Sequence, residues 1–385
     1  MLRVELRPEI SNLRSAASPV LALLVTCLVG AILFVCLGKD PIRGLELFFV
    51  EPVSSASSLS ELTIKATPLL LIAVGLCIAF RANVWNIGAE GQFVLGAIGS
   101  GGLAMRMPAE AGHWVVVPIL LAGALGGMLW AAIVAELRDR FHANEILVSL
   151  MLVYVAEFLL DYLVYGPWRD PQGYNFPQTI TFLPNTAVPR LFDGYRAHVG
   201  AILAIVVAAA GGVFLFRTYG GFRLQVGGAS AAAARFAGFS ARASLWTALL
   251  ASGAAAGLAG GLEVCGPVGQ LNPYVPAGYG FAAIIVAFVG RLHPVGVVLS
   301  SIVMSMFYLG GELCQSRLGL PKALTGVFQG LLLLTLLVCD GLVRYRVRWL
   351  SPAAAQAPAP ASPASVAASD ALPTTAASVA SDPEH

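Results

Sequence analysis

Between two apolar runs the chain carries Phe80-Arg81-Ala82-Asn83-Val84-Trp85-Asn86-Ile87-Gly88-Ala89-Glu90-Gly91-Gln92, which gathers three amide side chains, an indole and a carboxylate around two glycines. A merely solvated turn needs fewer such groups. Backbone at membrane depth leaves helical geometry only where it is buried in protein or lines a cavity, so this spacing points to a broken segment beside a pathway. Asn83, Trp85, Asn86, Glu90 and Gln92 are then candidates either to satisfy freed backbone groups or to meet solute hydroxyls. A similar interruption, Gly266-Pro267-Val268-Gly269-Gln270-Leu271-Asn272-Pro273-Tyr274, precedes a short apolar run and adds Gln270 to the set. Paired interruptions of this kind suggest two related halves with the solute path between them.

A third constellation is Tyr154, Glu157 and Asp161, whose spacing puts them on one face of a helix. A carboxylate inside a span is a functional candidate. Glu157 and Asp161 either reach external water, pair with a loop arginine such as Arg169, or relay protons. Enzyme chemistry has no foothold. Gly38-Lys39-Asp40 lacks both the upstream glycine and the following hydroxyl of a phosphate-binding loop, so this chain is not expected to hydrolyse ATP. Neither a nucleophile elbow nor a zinc-protease signature occurs, and the five histidines are scattered singly, so no metal site is expected.

The elements that position these residues follow from composition. The chain is 57% hydrophobic and 11% charged, whereas soluble domains carry about 25% charged residues. Lipid must replace water around much of that apolar surface. A net charge of +2 leaves no footprint for nucleic acid. Ten apolar runs fall near 18–37, 66–80, 91–105, 114–135, 145–165, 197–216, 243–262, 277–290, 295–311 and 323–343, with those at 91, 277 and 295 shorter than a full crossing. The expected fold is an all-α polytopic membrane protein of about ten transmembrane helices with broken or re-entrant segments. The first run follows Arg3, Arg7 and Arg14 and ends without a small-residue cleavage site, so it is expected to be a retained helix.

The densest basic clusters, Arg138 to Arg140, Arg217 to Arg242 and Arg344 to Arg348, fall on one side if the N-terminus is inside, which predicts both termini in the cytoplasm. Residues 1–17 then form a cytoplasmic N-terminus and 18–345 the transmembrane domain. The external loop 166–196, rich in proline and including Trp168, is expected to be an ordered cap. The cytoplasmic loop 217–242 holds an Ala-rich stretch, Ala229 to Ala237, that favours a short helix. Residues 352–385, nearly all Ala, Pro, Ser and Thr, read as a disordered cytoplasmic tail. Gly253, Gly257 and Gly261, and Gly123 with Gly127, repeat every four residues and predict close helix packing. The six cysteines read as small apolar fillers, with a Cys265–Cys314 disulfide as the one conceivable bridge.

The Phe80 to Gln92 stretch resembles the signature of nucleoside and simple-sugar ABC permeases, a branch of the branched-chain amino-acid-type permease family. Asn144-Glu145-Ile146 leading into Leu150-Met151-Leu152, then Gly166-Pro167-Trp168-Arg169-Asp170-Pro171, Gly278-Tyr279-Gly280-Phe281 and Gly290-Arg291-Leu292-His293-Pro294 are similar to that family in the same order. The resemblance covers roughly residues 15–345. It implies a type II ABC importer permease fold in a bacterial cell inner membrane. It also implies a second permease subunit, commonly a different chain, and two cytoplasmic ABC ATPase subunits that use ATP and Mg, with no cofactor bound by this chain. An external solute-binding lipoprotein or periplasmic protein would deliver solute.

In that reading Ala234, Arg235, Phe236, Ala237 and Gly238 match the closing pattern of the helix that couples to the ATPase. The chain departs from the usual form in carrying Ser230, Ala231 and Ala232 where members often have Asn, Pro and Glu, and Val153 where an Asn often precedes the tyrosine. The long outer loop and the Asn86 to Gln92 word favour nucleosides over ribose-like sugars as cargo. The alternative from another class is a proton-coupled secondary transporter of small polar solutes working alone, with Glu157 and Asp161 as relay.

Overall fold

The computed structural model describes residues 2–6 and 12–349. It divides into two units. In the smaller, β1 (Leu2–Leu6) pairs antiparallel with β2 (Tyr345–Trp349), Leu2 opposite Trp349 and Leu6 opposite Tyr345. The larger spans Ala17–Cys339 and is helical. Residues 352–385, where a disordered tail is expected, lie outside the described residues, as do residues 7–11 of the N-terminal segment.

The helices are α1 (Asn12–Cys36), α2 (Pro41–Phe49), α3 (Ala56–Arg81), α4 (Ala89–Ala104), α5 (Val116–Phe141), α6 (Glu145–Tyr165), α7 (Gly200–Arg217), α8 (Tyr219–Ala229), α9 (Ala231–Phe236), α10 (Ala241–Glu263), α11 (Tyr279–Val289), α12 (Pro294–Leu318) and α13 (Ala323–Arg344). Eight helices among the described residues are long and apolar enough to cross a bilayer. The remaining two apolar runs form α4 and α11, of 16 and 11 residues, which begin inside the protein instead of at its surface. Ten elements thus match the ten runs. The run from 295 is not short: α12 continues for 25 residues because Glu312, Gln315 and Arg317 extend it past the apolar stretch. Likewise α3 starts ten residues before its run, capped where the Ser55 side chain accepts the amide of Ser58. Helix α2 was not anticipated. It is nine residues long and carries the charged Arg43 and Glu46, yet Asp40 caps its first turn and Phe48 stacks on Phe328 at 4.4 Å.

Helices α3 and α10 form the centre, 83% and 72% of their spans being buried, against 22% for α1, α6 and α7. Glycine makes this centre dense. A Cβ on Gly257 of α10 would press into the backbone of Gly123 and Gly127 on α5, and one on Gly96 of α4 into Gly257 itself. The glycine stripes therefore act as packing devices, letting three backbones cross with no side chain between them. No disulfide joins the six cysteines, so Cys265 and Cys314 are not bridged.

Candidate functional site

The break between α3 and α4 is built by its own side chains. Asn83 takes a left-handed turn (φ 56°), a conformation Asn tolerates, and Trp85 stacks against Phe80 and Phe288 with centroids 5.3 and 6.2 Å away. Asn86, fully buried, donates to the Gln92 Oε1 at 2.8 Å and to the Ser252 hydroxyl at 2.9 Å, while its own oxygen accepts from Gln92 and from the Gly88 amide. Buried polar groups are costly unless paired, and here each pairs with another. Gly88 lies against the backbone of Ser149, and Gly91 against that of Val153, bringing α4 onto α6.

Glu90 reaches a different partner. One carboxylate oxygen accepts the amide of Gly278 at 2.8 Å, and the other accepts that of Gly280. The first turns of α4 and α11 therefore face each other inside the protein, and a single carboxylate lies between their positive ends. Gly278 (φ 78°) makes the turn into α11, and Gly280 carries no Cβ because one would collide with the backbone of Glu90.

Toward the N-terminal end of α3 and the C-terminal ends of α10 and α12 lies a charged vestibule. Lys65 pairs with Glu312 at 2.7 Å, and Arg196 pairs with Glu61 at 3.1 Å and donates to the Pro267 carbonyl at 3.3 Å. Glu263, the last residue of α10, lies deep within electrostatic reach of Lys65, Arg196 and Glu312. Below them the Tyr279 and Tyr308 rings sit 5.2 Å apart, and Tyr308 donates to the Ala277 carbonyl at 3.2 Å. The electrostatic neighbours of both tyrosines include Glu90. A polar column thus runs from the vestibule to the facing helix ends. Sequence reasoning missed its upper half. The apolar run ends at residue 262, one short of Glu263, and Lys65, Glu61 and Glu312 fall in the polar flanks of α3 and α12.

Gln270 belongs to the roof of this column. It donates to Gln178 at 3.2 Å, beside main-chain bonds from Thr179 to Leu271, Phe182 to Gly269 and Val188 to Cys265. These stitch the 166–196 loop along the turn that ends α10, making the expected ordered cap. Trp168 in that loop packs on Gly102 and under the Arg106 guanidinium, 5.9 Å from its ring.

Tyr154, Glu157 and Asp161 lie on α6, on a face that is exposed or half exposed among the described residues, with Glu157 within electrostatic reach of Glu90; Arg169 bonds Asn175. The predicted residues therefore divide into a buried group (Asn86, Glu90, Gln92), a roof residue (Gln270), an open face (Tyr154, Glu157) and a pair at the end of α3 (Asn83, Trp85).

The end of α3 adjoins the residues expected to couple to an ATPase. Asn83, Arg138, Ala234, Arg235 and Phe239 line one cavity of about 190 Å³. The predicted short helix forms as α9, six residues long, with Ala234 turned inward, Arg235 and Phe236 outward, and Gly238 (φ 76°) closing it. Helix α8 ahead of it is fastened to the end of α3: the Arg81 guanidinium donates to Gln225 at 3.0 Å and to the Leu292 carbonyl at 2.8 Å, and Gly228 lies against the Arg81 carbonyl.

Comparison with known proteins agrees with this architecture. The family described as branched-chain amino acid transport system / permease component matches residues 58–337. A glucose ABC transporter permease protein of Haloferax volcanii is 33% identical over 90% of this chain and 93% of its own. A guanosine ABC transporter permease protein of Bacillus subtilis is 26% identical over 82% and 91%, and a nucleoside ABC transporter permease protein of Lactococcus lactis 26% identical over 77% and 84%. No solved structure matches. With eight helices among the described residues long and apolar enough to span a bilayer and two inward-starting half-helices, the chain belongs to the branched-chain amino acid transport system permease family and is a multi-pass membrane permease subunit of an ABC transporter.

Proposed function

We propose that this permease passes a nucleoside or a related sugar inward by alternating access, paired with a second permease of different sequence and driven by two cytoplasmic ATPases that hydrolyse ATP with Mg. An external solute-binding lipoprotein or periplasmic protein delivers the cargo, and the membrane is the cell's inner membrane. The cargo class is supported by the relatives, which are described as glucose, guanosine and nucleoside permeases. The nucleoside preference read from the Asn86 to Gln92 word stands beside a glucose relative, so both cargoes belong to the test. The pairing of Leu2–Leu6 with Tyr345–Trp349 supports both ends lying on one side, which the arginine distribution makes the cytoplasmic one.

The observation that carries the mechanism is the attachment of α8 to Arg81. A pull on α9 moves α8, and α8 is bonded through Gln225 to the residue at which α3 ends and the broken segment begins. Five residues on, Asn86 is locked to Gln92 and Ser252, so displacement at the cytoplasmic face reaches the facing ends of α4 and α11 without passing through a loose loop. The open α6 face fits the second permease. Carboxylates such as Glu157 and Asp161 are costly against lipid, and a partner subunit or a shared aqueous path relieves that cost.

The experiment is uptake of labelled guanosine and labelled glucose by cells with and without this chain, the ATPases and binding protein being present in both. Loss of uptake of either cargo on deletion is the expected result. Unchanged uptake of both overturns the cargo assignment. Uptake by the lone purified chain driven by a pH gradient overturns the ATP-driven mechanism.

A further inference from the structure

Glu263 ends α10 inside the vestibule, and its carboxylate has neither a hydrogen bond nor an ion pair within 4 Å among the described residues, although it keeps accessible surface. Every other charge around it is engaged. Lys65 holds Glu312, and Arg196 holds Glu61 and the Pro267 carbonyl. A buried carboxylate with unused lone pairs is costly unless a ligand or water fills them. Within its electrostatic reach stands a donor with unused capacity, because the Lys65 ammonium carries three protons and spends one on Glu312.

The geometry points to Glu263 as the floor of an external capture site that takes the neutral vicinal diol of a sugar or ribose ring. This rests on the importer reading above. Each hydroxyl of a diol both donates and accepts, so one ring edge donates to Glu263 while accepting from Lys65 or Arg196. Tyr308, one turn from Glu312 on the same face of α12 and half exposed, offers its ring to the C–H face of the sugar. A metal ion fits less well. It would be drawn to Glu263 but would stand within reach of two positive charges, Lys65 and Arg196. The site lies under the loop cap and above the Tyr279–Tyr308 pair, so a solute released from outside meets it before the facing ends of α4 and α11.

The test is uptake by the full transporter reconstituted in liposomes, comparing wild type with Glu263→Gln, which keeps shape and removes the charge, and with Glu263→Ala. The probes are guanosine, 2′,3′-dideoxyguanosine and glucose, which separate a ribose diol from a hexose diol. Loss of a charge-assisted hydrogen bond predicts that both variants raise KM by about tenfold for whichever diol-bearing probe is carried, with ATPase assembly unchanged. The dideoxy probe, lacking the diol, should be carried poorly and alike by all three proteins. Unchanged KM in both variants, or an equal loss for diol and dideoxy probes, overturns the capture site and leaves the importer reading standing. Uptake that depends on a metal cation in wild type and not in Glu263→Gln also overturns it, making the site a cation site. No uptake of any probe by wild type overturns both readings.

Discussion

The carboxylate of Glu90 in the first turn of α4 receives the backbone amide of Gly280 in the first turn of α11, so two half-helices from distant parts of the chain share one cap. Alanine at 90 would orphan the Gly278 and Gly280 amides, at about 1–3 kcal/mol for each buried donor. Glutamine keeps one acceptor but turns an NH2 toward a donor, so it should recover part of the loss. Thermal unfolding in detergent should rank wild type above Glu90→Gln above Glu90→Ala. Equal melting of all three would mean that the cap holds nothing.

A methyl group at Gly257 should be as damaging as many larger changes elsewhere. It would press on the Gly127 amide at 2.8 Å and on the Gly123 carbonyl, both of them backbone, so no side chain can turn aside. Overpacking of this kind costs about 1–3 kcal/mol or more. Gly326 on α13 has open space around its Cβ position and serves as the control. Gly257→Ala should lower both membrane yield and melting temperature, and Gly326→Ala should change neither; similar behaviour of the two would refute the three-backbone crossing.

The sequence revealed what is encoded locally and hid what is encoded by partners. The break at Asn83 to Gln92 is legible because its amides and glycines are crowded into one stretch, and Asn86 and Gln92 indeed bond each other. That Glu90 serves Gly278 and Gly280 is not legible, because its partners lie 188 and 190 residues away. Helix α2 escaped because hydropathy averages over windows longer than its nine residues. Glu263 escaped for a related reason: a charge marks the end of an apolar run whether it points into water or into a vestibule, and only the Lys65 and Arg196 side chains around it distinguish the two.

Acid should weaken the outer cap through His198. This residue precedes α7, is 4% exposed, and accepts the Gly200 amide on Nδ1 at 3.1 Å. Burial disfavours its charged form and pushes its pKa down from 6.5 to about 4. The unfolded chain therefore binds a proton that the folded one refuses between those values, and stability falls as pH drops from about 6.5 toward 4. The limiting loss is on the order of 3 kcal/mol. His198→Gln should flatten this part of the melting-temperature profile while leaving its value near pH 8 within a few degrees. An acid limb of unchanged steepness in the variant would assign it to other groups.

Phe236 is 94% exposed at the end of α9, whereas Ala234 beside it is buried, so the helix is anchored by one residue and presents the other. An exposed phenylalanine next to Arg235 on the segment between α7 and α10 makes sense as an anchor for a partner, since aromatic and arginine side chains dominate interface energetics. Because Phe236 is almost wholly exposed among the described residues, Phe236→Ala should leave folding and membrane insertion as they are. Its effect should fall on ATPase docking, weakened by at least about tenfold in pull-down with the purified ATPases, with transport-coupled ATP hydrolysis lost in proportion. Ala234→Asp should act differently, since a buried charge at the root of α9 would disturb the cavity shared with Asn83 and Arg138 and lower the melting temperature as well. Full docking by Phe236→Ala would show that α9 is not the contact through which ATP drives the broken segment.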